Sequence, residues 1–180
     1  MQHYIEVYNF WFNTLTPKDW YRKSDKLDKL IKDKFQKIHT MATKNELAHW
    51  RRSPKGTLSE VIVLDQFSRN IYRDQAQAFQ SDSQALCLAQ NAIEKGLHNH
   101  LNLQERMFLY MPFMHSESQS IHDKAVEIFQ EPGLEDSLDY EHKHFDIIKK
   151  FERYPHRNII LKRDSTQEEI TFLKQPGSSF

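Results

Sequence analysis

Apolar residues in this 180-residue sequence return at intervals of three and four, the spacing of one face of an α-helix. Leu27, Leu30, Ile31, Phe35, Ile38 and Ala42 make the clearest stripe, with lysines between them. A second stripe runs through Phe79, Asp82, Leu86, Ala89, Ala92 and Ile93, and it meets Gly96 where a helix end favours glycine. Glycine is otherwise scarce, four in all, and no Asn-Gly or Asp-Gly pair is present to turn a tight hairpin. The expectation is therefore an all-α chain of about eight or nine helices, near 3–13, 25–43, 45–50, 57–70, 77–95, 102–115, 118–130, 135–153 and 165–174. Residues 154–164 read as a loop.

Local start and stop signals agree with that reading. Thr57-Leu58-Ser59-Glu60 and Ser165-Thr166-Gln167-Glu168 have the capping-box pattern, and Asn102 stands three residues before Glu105 with the same logic. Stops are expected at Pro17, Pro54, Pro132-Gly133, Pro155 and Pro176-Gly177, and a kink or break at Pro112. The length suits one domain over 1–180. A formal net charge of zero excludes the general basicity of a nucleic-acid binder. No apolar run approaches the ~20 residues of a membrane span, and the N-terminus lacks the pattern of a signal peptide. Cys87, the one cysteine, lies in Leu86-Cys87-Leu88-Ala89 and reads as a small core residue. A reducing, cytoplasmic setting is the expectation.

Charge is uneven: 18–37 carries eight basic and four acidic residues, and 123–152 nine acidic and four basic. Solvated helix faces account for both, with a docking patch as the alternative.

Three polar clusters could carry chemistry. In the first, Asp65, Arg69 and Arg73 step by four along a helix, with Gln66 and Asn70 in the adjoining row. Apolar neighbours imply partial burial, so Asp65 and Arg69 are expected to pair, either as a packing device or as part of a ligand site. In the second, His115 and Glu117 follow the Pro112 irregularity. They either satisfy irregular backbone or form a His-carboxylate pair suited to acid-base work. In the third, Arg153, His156, Arg157 and Asn158 crowd a loop after a helix ending at Phe151. Such a set suits an anionic group, or neutralises the carbonyls ending that helix.

Other readings are weaker. Glu46/His49 and Glu141/His144 have Glu-x-x-His spacing, without further carboxylates to complete a metal site, so no metal or cofactor is expected. Phosphate-loop, dinucleotide and nucleophile-elbow motifs are absent. Phe10-Trp11-Phe12 reads as a hydrophobic anchor.

Several of these stretches together resemble one family. They are Phe10-Trp11-Phe12, LDQFSRNIYR (64–73), Phe79 with Asp82, ERMFLYMPFMHSE (105–117), HFDIIKKF (144–151), YPHRN (154–158) and STQEEITFLKQPGSSF (165–180). The resemblance is to the bacterial domain-of-unknown-function 924 family and covers nearly the whole chain. It implies a tetratricopeptide-repeat-like right-handed superhelical array, and it leaves function unassigned. The family pattern would place glycine at Glu152 and at Lys162; their presence implies a locally altered loop.

Three functions follow as expectations. The first is a binding scaffold whose concave face holds a small anionic ligand or peptide, with Arg69, Arg73, Arg153 and Arg157 to receive it and Asp65, Gln66, Asn70, His115, Glu117, His156 and Asn158 as further candidate contacts. The second is an enzyme pairing His115 or His156 with Asp65 or Glu117. In the third the clusters are structural and the working surface is elsewhere, for instance a homodimer contact. The first two require the three clusters to meet around one hollow.

Overall fold

The computed structural model describes residues 4–179. Among them every regular element is helical and no strand occurs. The α-helices are α1 (Tyr4–Asn9), α2 (Pro17–Tyr21), α3 (Asp25–Thr43), α4 (Pro54–Ile62), α5 (Ser68–Ile71), α6 (Asp82–Glu94), α7 (Leu103–Met114), α8 (Gln119–Phe129), α9 (Glu135–Phe151) and α10 (Gln167–Phe172). A π-helical turn, Val63–Phe67, joins α4 to α5 in one rod, so the described residues carry nine separate α-helices. The all-α expectation and the helix count hold. Residue 3, where the first helix was expected to begin, and Phe180 lie outside the described residues.

Several start signals operate one step away from where the pattern placed them. α4 begins at Pro54, with the Ser53 hydroxyl accepting from the Gly56 amide, so Thr57 lies inside the helix and is no cap. Pro17 and Pro54 open helices and Pro155 opens a 3₁₀ turn, where expectation had stops. A proline at the first helical position has no amide hydrogen to leave unpaired and has its φ already set. The cap of α10 is Thr166 with Glu169, one residue beyond Ser165 and Glu168. Asn102 caps α7 as expected, with Oδ1 3.0 Å from the Glu105 amide. Helix α7 runs on through Pro112 to Met114.

The described residues divide into two compact units, one within 1–73 and 77–112 and the other within 74–76 and 113–180. In the first unit, α1 and α6 pack on α4, and α3 packs on the π turn and α5. Its core is aromatic. Trp11 meets Phe67 and Phe108 at 5.7 and 5.3 Å between ring centroids, and Phe35 stacks on Phe67 at 4.9 Å. Phe10 and Trp11 are buried there, the anchor their sequence suggested. On α3 the stripe is buried at Ile31, Phe35, Ile38 and Ala42, while Leu30 is 48% exposed. Cys87 is exposed, contrary to the core reading: Ala85, Leu88, Ala89 and Ala92 form the buried face of α6, and position 87 points away from it. In the second unit α8 packs along α9, and Ile147, Ile148, Tyr154, Phe151 and Phe172 cluster at its core.

Glu152 and Lys162 have φ of 58° and 55°. The left-handed backbone that glycine favours is therefore present at both positions, and side-chain-bearing residues adopt it. The expectation that they alter the loop gives way to one of local strain. Gly96, at φ 69°, follows α6 as its C-terminal glycine.

Candidate functional site

In the first unit the polar row of 65–73 becomes two closed ion-pair knots. Arg69 lies 3.2 Å from the Asp65 carboxylate, as the i,i+4 spacing suggested. Its Nη1 also donates to the Asp65 carbonyl at 2.8 Å, in the wide π turn, and the guanidinium grips Asp82 with two bonds of 2.9 and 3.0 Å. Asp65 is buried, so these donors offset the cost of enclosing its charge. Gln66 donates to Asp65 at 2.6 Å. Arg73 and Asn70 both turn to Asp28 of α3, Asn70 at 2.7 Å. Burial would raise the Asp28 carboxyl, but the hydrogen bonds from Arg73 and Asn70 outweigh it and hold the group below its usual range.

The His39–Ser68 contact, 2.8 Å and buried, has the look of a nucleophile pair. The Ser68 hydroxyl, however, gives its proton to the Leu64 carbonyl at 2.6 Å. His39 must then be the donor to Ser68 Oγ, the reverse of what a general base would do.

In the second unit the two remaining clusters come together. The chain leaving α7 presents three successive carbonyls, each taken by a different side chain. The Tyr154 hydroxyl donates to Met114 at 2.6 Å, Arg157 Nη2 to His115 at 3.1 Å, and His122 Nε2 approaches Ser116 at 2.8 Å. Glu117 accepts the Tyr154 amide at 2.7 Å and a two-point grip from Arg163 at 2.7 and 2.9 Å. Burial would raise the Glu117 carboxyl, but Arg163 and the Tyr154 amide prevail and hold it low. Arg157 thus serves the end of α7, whereas its place in sequence suggested the end of α9.

Arg153 binds Glu169 at 2.6 and 2.8 Å, and this pairing pulls the Glu169 carboxyl down to about 2. Asn158, buried, bridges Ser165 and Arg163 at 3.0 Å each.

Imidazoles and a guanidinium surround the Tyr154 ring. His156, His144 and His122 lie 5.5, 5.7 and 6.2 Å from it, centroid to centroid, and the Arg157 guanidinium is 4.6 Å from its centre. Burial pushes His144 down to about 3, and the nearby His115, His122 and His156 add to that. Its Nδ1 donates to the Tyr140 carbonyl at 2.7 Å. Behind the ring, Glu141 Oε1 lies 2.6 Å from His122 Nδ1. The chain Glu141–His122–Tyr154 has the connectivity of a catalytic relay. It is fully enclosed, and the Tyr154 proton is spent on a carbonyl, so this geometry holds backbone.

Glu141 turns to His122, so the Glu141/His144 spacing builds no ligand pair. Among the described residues no group of three or more His, Cys, Asp or Glu side chains is placed to hold a metal ion. No helix among them is long and apolar enough to cross a membrane. The partners that sequence reasoning missed are Asp28, Asp82, Arg163, Glu169, His122 and Glu141. Only Glu169 had a local signal, as the third residue after Thr166.

Fold and site together define an all-α protein whose polar clusters are largely arginine–carboxylate knots, with one histidine-rich loop. The chain belongs to the family described as bacterial protein of unknown function (DUF924), whose model matches residues 7–177. Its fold is similar to the solved structure of a protein of unknown function from Agrobacterium tumefaciens. The two are 32% identical, with a TM-score of 0.91 over 95% of this chain and 96% of that one. No curated protein matches.

Proposed function

We propose that the protein is a binding module for a small anionic ligand, received at the Tyr154 loop of the second unit by His115, His156 and Arg157. The observation that carries this is the gathering of His122, His144, His156 and Arg157 about one buried tyrosine, with Arg157 also holding the His115 carbonyl. Arg157 stays charged, and an imidazole near neutral pH can supply the proton an anionic ligand needs, so His115 and His156 beside Arg157 suit an anion. His115 and His156 are half-buried, the usual placement for side chains that meet a ligand from solvent. Arg69, Arg73 and Arg153 are committed to carboxylates and serve packing in this reading. A tetratricopeptide-repeat-like stacking of the helices and a cytoplasmic setting belong to the same proposal.

The test is isothermal titration with inorganic phosphate, sulfate and citrate near neutral pH. The double variant His115→Gln/His156→Gln should lose at least about tenfold in affinity for whichever anion binds, the equivalent of ~1.4 kcal/mol. The double variant should fold normally. Arg157→Ala is the poorer probe, because it also frees the His115 carbonyl and uncovers Tyr154. Equal affinity in the double variant, or no heat with any of the three anions, overturns the proposal.

A further inference from the structure

We propose that one proton shared by Glu141 and His122 controls this loop, by holding in place the Met114–Glu117 segment that carries His115; the control it exerts over binding rests on the ligand-site reading above. His122 Nε2 faces the Ser116 carbonyl at 2.8 Å, which can only accept, and the Tyr154 oxygen at 3.2 Å, whose own hydrogen goes to Met114. Nε2 therefore bears a hydrogen. Nδ1 faces Glu141 Oε1 at 2.6 Å. Without a proton between them, an imidazole lone pair would confront a carboxylate inside the protein, where both side chains are 0% exposed.

Which partner holds the proton follows from the other carboxyl oxygen. Glu141 Oε2 is buried with no hydrogen-bond partner. An orphaned oxygen on an ionised carboxylate costs far more than one on a neutral acid. Glu141 is therefore the carboxylic acid, donating to a neutral His122. Burial, outweighing the His122 bond, pushes the Glu141 carboxyl up from its usual range, in agreement. The other charged or titratable groups around the pair are His142 and His144 on α9, and His115, Tyr154, His156 and Arg157 from the loops. Glu117, the nearby carboxylate, is held by Arg163.

Loss of the shared proton leaves a buried negative charge against a lone pair. The strain is relieved when His122 turns from Ser116, which frees one of the three clamped carbonyls and loosens His115. The loop is then firm at neutral and mildly acid pH and slackens as pH rises. The linkage has the same sign: the folded state keeps a proton that the unfolded chain releases in the ordinary carboxyl range, so stability falls with rising pH above that range.

The decisive variant is Glu141→Gln, whose amide still donates to Nδ1 but has no proton to lose. Without any anion, the infrared spectrum of the wild type near neutral pH should show the carbonyl stretch of a buried protonated acid, absent in Glu141→Gln. Above the ordinary carboxyl range, from about pH 5 upward, the wild-type Tm should fall by several degrees relative to the variant. Sulfate, which does not titrate there, should lose affinity with pH more steeply in the wild type. If the acid band is missing and the two Tm profiles run parallel, the shared proton is overturned even where sulfate binds. If the band and the Tm difference are present while sulfate affinity changes with pH alike in both proteins, control of binding is overturned. If they are present and sulfate, phosphate and citrate all fail to bind, the ligand-site reading falls and the proton assignment stands. Should Glu141→Gln fail to fold, the ¹⁵N shifts of His122 in the wild type decide alone: a neutral ring hydrogenated at Nε2 supports the assignment, and an imidazolium overturns it.

Discussion

Glu152 and Lys162 hold backbone that costs an L-residue on the order of 1–2 kcal/mol, because Cβ crowds the following carbonyl at positive φ. Glycine removes that cost but returns part of it through the freedom it gives the unfolded chain. Glu152→Gly and Lys162→Gly should therefore each stabilise by about 0.5–1 kcal/mol, and calorimetry on the double variant should show Tm raised by roughly 2–8 °C. Gly56 is the opposite case. It sits in the first turn of α4, and a Cβ added there would meet the Trp50 carbonyl oxygen at 2.1 Å. That contact is with backbone, so no rotamer relieves it. Gly56→Ala should cost about 1–3 kcal/mol, measured by denaturant unfolding. The resemblance to a family pattern marked positions 152 and 162, but only φ shows that the glycine it leads one to expect would serve a left-handed turn.

Where one helix meets another, the knots decide more than any single conformation. Arg69 ties Asp65 to Asp82, so Arg69→Ala takes the paired cation away from a buried carboxylate. Removing one partner of such a pair costs about 3–5 kcal/mol, or roughly 6–20 °C in Tm. Asp82→Asn should cost less, because the Asp65 contacts of Arg69 survive. A thermal melt that ranks the two the other way would reject this account of the knot. The same elements show what was legible in the sequence. Periodicity of three and four located α3, α6, α8 and α9, since helix faces are written in local spacing. The i,i+4 pair Asp65/Arg69 was local too. Asp28 with Arg73, Glu117 with Arg163 and Glu141 with His122 are separated by 45, 46 and 19 residues, and nothing in the spacing of either partner names the other. The Pro54 and Pro155 errors had a different cause: proline both stops a helix and opens one, and the sequence alone does not choose.

Taken over the described chain, two of the groups that make the fold acid-sensitive carry opposite charge. His144, lowered to about 3 by burial, stays neutral in the fold while the unfolded chain binds a proton near 6.5. Its contribution to stability therefore declines as pH falls from 6.5 toward 3. Glu169, held at about 2 by Arg153, keeps its charge in the fold while the unfolded chain protonates near 4.5. Its contribution is complete above 4.5 and is lost as pH falls toward 2. Only the upper part of the first window lies clear of the second. His144→Gln should accordingly make the Tm profile less steep between about pH 6.5 and pH 4.5 and soften the loss below it only in part. Arg153→Ala, which releases Glu169, should soften that lower limb and leave the upper one unchanged. The two variants separate these two contributions within one acid-unfolding curve, and a curve that moves as a whole in either variant would show that the two groups do not titrate independently.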